Sequence, residues 1–278
     1  MCLWKGHIRN KIRNMPFGHL LIFVILASMK VDGKAIAEGI LTQLKKDMSS
    51  VPKLTLAVVT CAPNFETQKY LELKKRRASA VGISLNVIEL PANITTGQAI
   101  ECVEAVAQQS DGVVVQLPLP EHIDRDAVLR AVPLEKDPDV FSYGEKRDRI
   151  LPPVVGAMDA ISHVHAVEWK NQKVVVLGQG RLVGIPAARY ARKRGARVRV
   201  YEKDTLDVSS LKTADIIISG IGHPRFIELA MVSDGVIIFD AGTSEDGGEL
   251  VGDMHPDVAT RASLFTPVPG GIGPLTVA

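Results

Sequence analysis

Short apolar runs separated by polar, helix-patterned stretches dominate this chain. Leu54-Thr55-Leu56-Ala57-Val58-Val59 reads as a buried parallel strand. The spacing after it predicts a helix from about Glu66 to Val81, stopped by Gly82, with Leu71, Ala78 and Val81 as its apolar stripe. A second run, Gly112-Val113-Val114-Val115-Gln116-Leu117, predicts another strand leading into Pro118-Leu119-Pro120. Downstream the rhythm becomes regular. Lys173–Leu177 and Arg197–Tyr201 are predicted strands flanking a helix through Ala187 to Arg194 that ends at Gly195. Two further βα units carry strands at Ala214–Ser219 and Gly235–Asp240. Alternating strand and helix signals predict an α/β fold with parallel sheets. At 278 residues the chain is expected to form two domains.

Three segments in this pattern carry candidate chemistry. Tyr70 and Lys74 lie four apart and share a helix face. Lys74 flanks the apolar stripe, where desolvation would lower its pKa and leave an amine able to accept a proton. Alone it reads more simply as a solvated lysine beside Lys75, Arg76 and Arg77. Gln116 is the polar residue of an otherwise apolar strand, near the carboxyl end where open α/β sheets bind ligands. It reads equally well as a glutamine satisfied by nearby backbone. Lys136-Asp137-Pro138-Asp139 forms an acidic turn that by itself suggests a domain linker.

The glycines are more specific. Gly178-Gln179-Gly180-Arg181-Leu182-Val183-Gly184 follows the Lys173–Leu177 strand and opens the next helix. In such a turn Gly178 makes the bend, Gly180 admits a pyrophosphate, and helix amides bind its charge. Glu202 lies 24 positions after Gly178, at the end of the next strand, where an acid accepts hydrogen bonds from a ribose 2′-hydroxyl and repels a 2′-phosphate. Lys203 beside it could instead pair with a phosphate, so the preference is a lean to NAD over NADP. Gly220, Gly222 and Gly242 follow the next two strands, where they would let a cofactor approach. Phe265 to Thr276 holds three prolines and three glycines, a density expected only of a shaped loop on that same edge.

Composition excludes little else. The chain is 46% hydrophobic and 23% charged, ordinary for a globular enzyme. Its net charge is +2, but residues 1–28 hold Lys5, Arg9, Lys11 and Arg13 and no acid; the remaining 29 basic and 31 acidic residues leave −2. Nucleic acid is therefore not an expected partner. Cys2, Cys61 and Cys102 lack CxxC spacing, which argues against a metal site and fits a reducing compartment. The apolar run Leu20–Ala27 behind those basic residues has the outline of a signal peptide, yet at eight residues it is too short to span a bilayer. Patterning begins at Met29, so 1–28 is expected to be a leader outside the fold; export and organelle targeting stay open.

Taken in order, Tyr70-xxx-Lys74, Gln116-Leu117-Pro118-Leu119-Pro120, Lys136-Asp137-Pro138-Asp139, the Gly178 turn and Thr266-Pro267-Val268-Pro269-Gly270-Gly271-Ile272-Gly273-Pro274 resemble the bifunctional methylenetetrahydrofolate dehydrogenase/methenyltetrahydrofolate cyclohydrolase family. The similarity runs from about residue 30 to 278. It implies a folate-binding catalytic domain at 29–150 and a Rossmann-type NAD(P)-binding domain at 151–278, without the family's final C-terminal helix. It implies oxidation of 5,10-methylenetetrahydrofolate and hydrolysis of the methenyl product to 10-formyltetrahydrofolate, within one-carbon metabolism and purine biosynthesis. By the resemblance Lys74 is the cyclohydrolase lysine, held by Gln116, while Tyr70 stacks on folate and Asp139 bonds the pterin. Leu117, Pro118, Pro269, Gly270 and Gly271 would line the folate. Gly178, Gln179, Gly180, Arg181, Gly184, Glu202, Gly220, Gly242 and Thr266 would line the nucleotide. A cytoplasmic homodimer is implied, with tetrahydrofolate derivatives as partners and neither metal nor membrane.

Some residues depart from the family. Val140 replaces a glycine after Asp139, and Leu151-Pro152-Pro153-Val154 replaces Pro-Cys-Thr-Pro. Gly178-Gln179-Gly180 replaces Gly-Arg-Ser, which removes groups associated with the 2′-phosphate and strengthens the lean to NAD. Thr67 stands for a serine. The alternatives are a dehydrogenase without cyclohydrolase activity and a non-catalytic folate- or nucleotide-binding remnant.

Overall fold

The structure is a computed structural model describing residues 29–144 and 150–278. The leader expected at 1–28 lies outside the described residues. In chain order the elements are β1 (Met29–Lys30), α1 (Gly33–Asp47), β2 (Thr55–Cys61), α2 (Phe65–Ala80), β3 (Ser84–Leu90), α3 (Thr96–Gln109), β4 (Gly112–Val115), α4 (Arg125–Arg130) and α5 (Pro153–Val164). There follow β5 (Lys173–Leu177), α6 (Gly184–Lys193), β6 (Arg197–Tyr201), α7 (Val208–Lys212), β7 (Ile216–Ser219), β8 (Ile237–Asp240), β9 (Ser244–Asp246), β10 (Glu249–Val251) and β11 (Leu264–Phe265).

Local chemistry sets the helix starts. Asp32, Asn64 and Asp124 each accept a backbone N–H three residues ahead, and Thr95 with Gln98 closes a capping box before α3. Proline opens α5 at its first position, where no intrahelical donor is needed.

The elements form a two-domain α/β fold. In the first domain β3-β2-β4 is a parallel sheet, with Val58 paired to Val87 and Val114. Its apolar faces are covered by α2 on one side and by α3 and α4 on the other. The second domain has a six-stranded parallel sheet in the order β1-β11-β8-β7-β5-β6. From β5 the chain first winds outward to β6, then crosses back to β7 on the opposite side. That reversal opens a crevice at the carboxyl end of β5, the place where such sheets receive ligands.

Three sequence expectations shift. The first described residues, assigned from sequence to the folate domain, pair with the second sheet: Met29 and Lys30 lie against Leu264 and Phe265. Val31, Val140 and Tyr143 are likewise buried in the second domain's core. Two-residue strands have no periodicity to read, so sequence gave no warning. Second, β4 ends at Val115 although the apolar run continues. Gln116 N still donates to Val59 O at 2.8 Å, but Pro118 has no N–H to extend the ladder. Third, Phe265 belongs to β11, so the shaped loop begins at Thr266.

Candidate active site

Helix α2 brings Tyr70 and Lys74 to the carboxyl end of the first sheet. Lys74 Nζ donates to Gln116 Oε1 at 3.0 Å, and Gln116 Nε2 donates to Leu117 O at 2.8 Å. The second bond fixes the amide so that its oxygen faces the lysine. Lys74 Nζ also lies 4.8 Å from the centre of the Tyr70 ring. Burial pushes the Lys74 pKa down, and the charge of Asp139 opposes that shift. Asp139 is pushed up to about 6, chiefly by burial, with Lys74 opposing and Asp137 adding. Burial also raises the Tyr70 phenol, whose oxygen lies 3.5 Å from Thr276 Oγ1. Lys74, Gln116, Tyr70 and Asp139 therefore form one cluster: an ammonium with weakened proton affinity facing a carboxylate with strengthened affinity.

Asp139 owes its place to a buried turn. Asp137 accepts from Val140 N at 3.0 Å and Phe141 N at 2.9 Å. Val140 adopts φ +52°, a left-handed angle rarely taken by β-branched residues, while its side chain is buried. Val140 thus combines an angle that suits glycine with a buried apolar anchor.

In the second domain the Gly178 turn sits at the sheet's switch point. Gly178 has φ +94°, and its N–H donates to Tyr201 O at 2.8 Å. A Cβ on Gly184 would lie 1.9 Å from Gly178 O, so that glycine serves the packing of α6 on the turn. A Cβ on Gly180 would meet nothing within 4 Å. Gln179 and Gly180 are exposed, as is Glu202, which caps the turn Lys203–Thr205. Arg181 reaches the first domain instead, with Nη2 2.8 Å from Asp126 Oδ2. Two further glycines change meaning. A Cβ on Gly220 would collide with Val183, and one on Gly242 would lie 2.2 Å from Asp253 Cγ. Their lack of a side chain serves protein packing, whereas sequence had suggested room for a ligand; Gly222 does face open space.

The Pro-Gly-Gly loop is gripped from the other end of the chain. Gly33 N donates to Gly270 O at 2.9 Å, and a Cβ on Gly33 would lie 1.8 Å from Gly271 O. Thr266, fully buried, accepts from Asp240 N at 2.7 Å through Oγ1. The loop ends beside Tyr70 through Thr276, between the two clusters. Gly33, Thr276, Asp240 and Asp253 were not singled out from sequence; only the Asp32-Gly33 cap position offered a local signal. A cavity of about 430 Å³ near Met29, Gln172, Asp215 and Ser263 lies at the amino ends of the second sheet, away from these groups. Among the described residues no group of three or more His, Cys, Asp or Glu is placed to hold a metal, and no helix is long and apolar enough to cross a membrane.

A glycine turn at the switch point of a parallel sheet, facing a lysine–glutamine–carboxylate cluster across a shared loop, defines a two-domain α/β enzyme of the dinucleotide-binding class. Residues 31–139 match the catalytic domain of tetrahydrofolate dehydrogenase/cyclohydrolase, and residues 153–278 match its NAD(P)-binding domain. The chain belongs to the tetrahydrofolate dehydrogenase/cyclohydrolase family. It is 35% identical to the bifunctional protein FolD of Mycoplasmopsis synoviae, covering 90% of this chain and 96% of that one. A Trypanosoma brucei methylenetetrahydrofolate dehydrogenase-cyclohydrolase, solved with NADP and an inhibitor, superposes with a TM-score of 0.84 at 31% identity over 90% of this chain and 93% of that one. The Campylobacter jejuni enzyme gives 0.83 at 31% identity, covering 88% and 93%.

Proposed function

We propose that this chain oxidises 5,10-methylenetetrahydrofolate with a nicotinamide dinucleotide and hydrolyses the methenyl product to 10-formyltetrahydrofolate. The observation that carries the reading is the Lys74–Gln116 pair at 3.0 Å, with its lysine pKa lowered by burial. In hydrolysis, water adds to the methenyl carbon, Lys74 takes one of its protons, and the second passes to the departing nitrogen as one carbon–nitrogen bond opens to leave the formyl group. Gln116 holds the amine toward the substrate, Tyr70 offers a flat face to the pterin side, and Asp139 accepts from the ring. Leu117, Pro118, Pro269, Gly270 and Gly271 border the folate.

A bound nicotinamide supplies the hydride acceptor. The turn fits such a group, because the space a Cβ would fill at Gly180 is open. Gly178, Gln179, Gly180 and the start of α6 would hold the pyrophosphate, with Thr266 and Gly220 beneath. Glu202 supports NAD over NADP, while Lys203 beside it, with its Nζ 5.6 Å from the Phe226 ring centre, is the residue that would favour a phosphate. Assays with NAD and NADP in parallel test both points: methenyl absorbance should appear faster with NAD, and reduction of neither would sink the dehydrogenase reading. A cytoplasmic homodimer is part of the same proposal; a monomeric mass in light scattering would remove the dimer.

A further inference from the structure

Two carboxylates lie buried beneath the nucleotide edge, where the proposed chemistry does not use them. Asp240 ends β8 and is 1% exposed; Asp253, two residues beyond β10, is fully buried. Asp253 accepts from Ser219 Oγ at 2.7 Å, Ile221 N at 3.0 Å and His223 N at 2.8 Å. Asp240 accepts from Gly242 N at 3.0 Å, Asp253 N at 3.2 Å and Met254 N at 3.0 Å. Glycines make the room: a Cβ on Gly252 would lie 2.1 Å from Asp240 Oδ2, as one on Gly242 would strike Asp253.

Burying two acids together is costly, and well-packed apolar groups of similar size often hold a fold equally well or better. What the acids supply is shape. Their donors come from the end of β7 and the loop after it, the loop after β8 and the segment after β10, and the Asp240 backbone N–H donates to Thr266 Oγ1 after β11. These are successive loops on the edge that carries Gly178, and a Cβ on Gly178 would lie 3.0 Å from Gly220 O, so the glycine turn rests on the loop that Asp253 holds.

We infer that Asp253, with Asp240, is a positioning residue that sets the Ser219–His223 loop and the Gly178 turn in the shape that receives the dinucleotide. The inference deepens the dehydrogenase reading and rests on it. Its test uses the full chain, Asp253→Asn and the milder Ser219→Ala. Asparagine turns one acceptor into a donor that faces backbone N–H groups. The expected result is a dinucleotide KM raised about tenfold in Asp253→Asn and about threefold in Ser219→Ala, with kcat within about twofold, as expected for lost charge-assisted hydrogen bonds. Methenyl hydrolysis at Lys74, which needs no dinucleotide, should keep its rate. An unchanged KM in both variants overturns the inference, as does parallel loss of both activities with KM unmoved. If Asp253→Asn is insoluble, Ser219→Ala decides alone. Wild-type protein that reduces neither dinucleotide would sink the dehydrogenase reading only. Calorimetric titration with NAD and NADP would then test the pair, and equal affinity of wild type and Ser219→Ala would overturn it.

Discussion

Gly180 and Gly184 belong to one sequence motif, yet the structure gives them opposite jobs, and alanine should separate them. At position 184 the new Cβ would sit 1.9 Å from Gly178 O and 2.7 Å from its carbonyl carbon. Both are backbone atoms, pinned by the Gly178 bond to Tyr201 O. Relief therefore needs a main-chain shift of roughly 1 Å, in the range where overpacking costs about 3 kcal/mol. Alanine's better helix propensity offsets about 1 kcal/mol. The remaining ~2 kcal/mol lowers Tm by roughly 4–8 °C for a chain of this size. At position 180 no atom lies within 4 Å, so alanine costs nothing in the free protein. Restricting the unfolded chain stabilises it by about 0.5 kcal/mol. The penalty appears only when a pyrophosphate needs that space, as a dinucleotide KM raised about tenfold, equivalent to ~1.4 kcal/mol. Thermal melts and initial-rate kinetics on both variants measure this. A Gly180→Ala protein that melts early with normal KM, or a Gly184→Ala protein with unshifted Tm, would refute the division of labour.

Lys74→Met should abolish methenyl hydrolysis, and undiminished hydrolysis would remove the lysine from the mechanism. Gly33→Ala places a Cβ 1.8 Å from Gly271 O and should depress dehydrogenase and hydrolase together, since the displaced loop borders both sites; loss of one activity alone would contradict that. Val140→Gly loses about 2 kcal/mol of apolar burial and relieves about 1 kcal/mol of left-handed strain, so denaturant melts should report a net loss near ~1 kcal/mol. Asp240 is pushed up to about 7, chiefly by burial, with Asp253 adding to the shift. The folded state therefore binds more protons than the unfolded state between about pH 4 and 7, and stability falls as pH rises through that window. Asp240→Asn should flatten the fall in Tm from pH 5 to 8; an equally steep fall would falsify the assignment.

Much of this was legible where the signal is local. The strands at Lys173–Leu177 and Arg197–Tyr201 match their apolar runs residue for residue, because lysine, arginine and glycine bound them sharply. The α2 helix shifted by one residue at each end, since Asn64 rather than apolar spacing fixes its start. The pairing of Lys74 with Gln116 was not in either segment's pattern, but both lay at carboxyl ends or on helix faces where sheet topology gathers side chains. Illegible were contacts joining distant, short or apparently structural pieces: β1 on β11, Gly33 under Gly271, and Asp253 beneath Gly242.

Those distant contacts explain why a single loop serves both halves of the molecule. The Thr266–Thr276 segment makes bonds of its own, Gly271 N to Pro267 O at 2.7 Å and Leu275 N to Ile272 O at 3.0 Å, and is held further by partners outside it. Its entry is fixed by Thr266 to Asp240 and by β11 between β8 and β1, all within the second domain. Its middle is fixed by Gly33 to Gly270, which brings in the first residues of the described chain. Its exit stands beside Tyr70, one helical turn from Lys74 on the first domain. A substrate that must be oxidised against one domain and hydrolysed on the other needs both clusters in register. The loop joins them, its entry held on the second sheet and its exit beside α2 of the first domain.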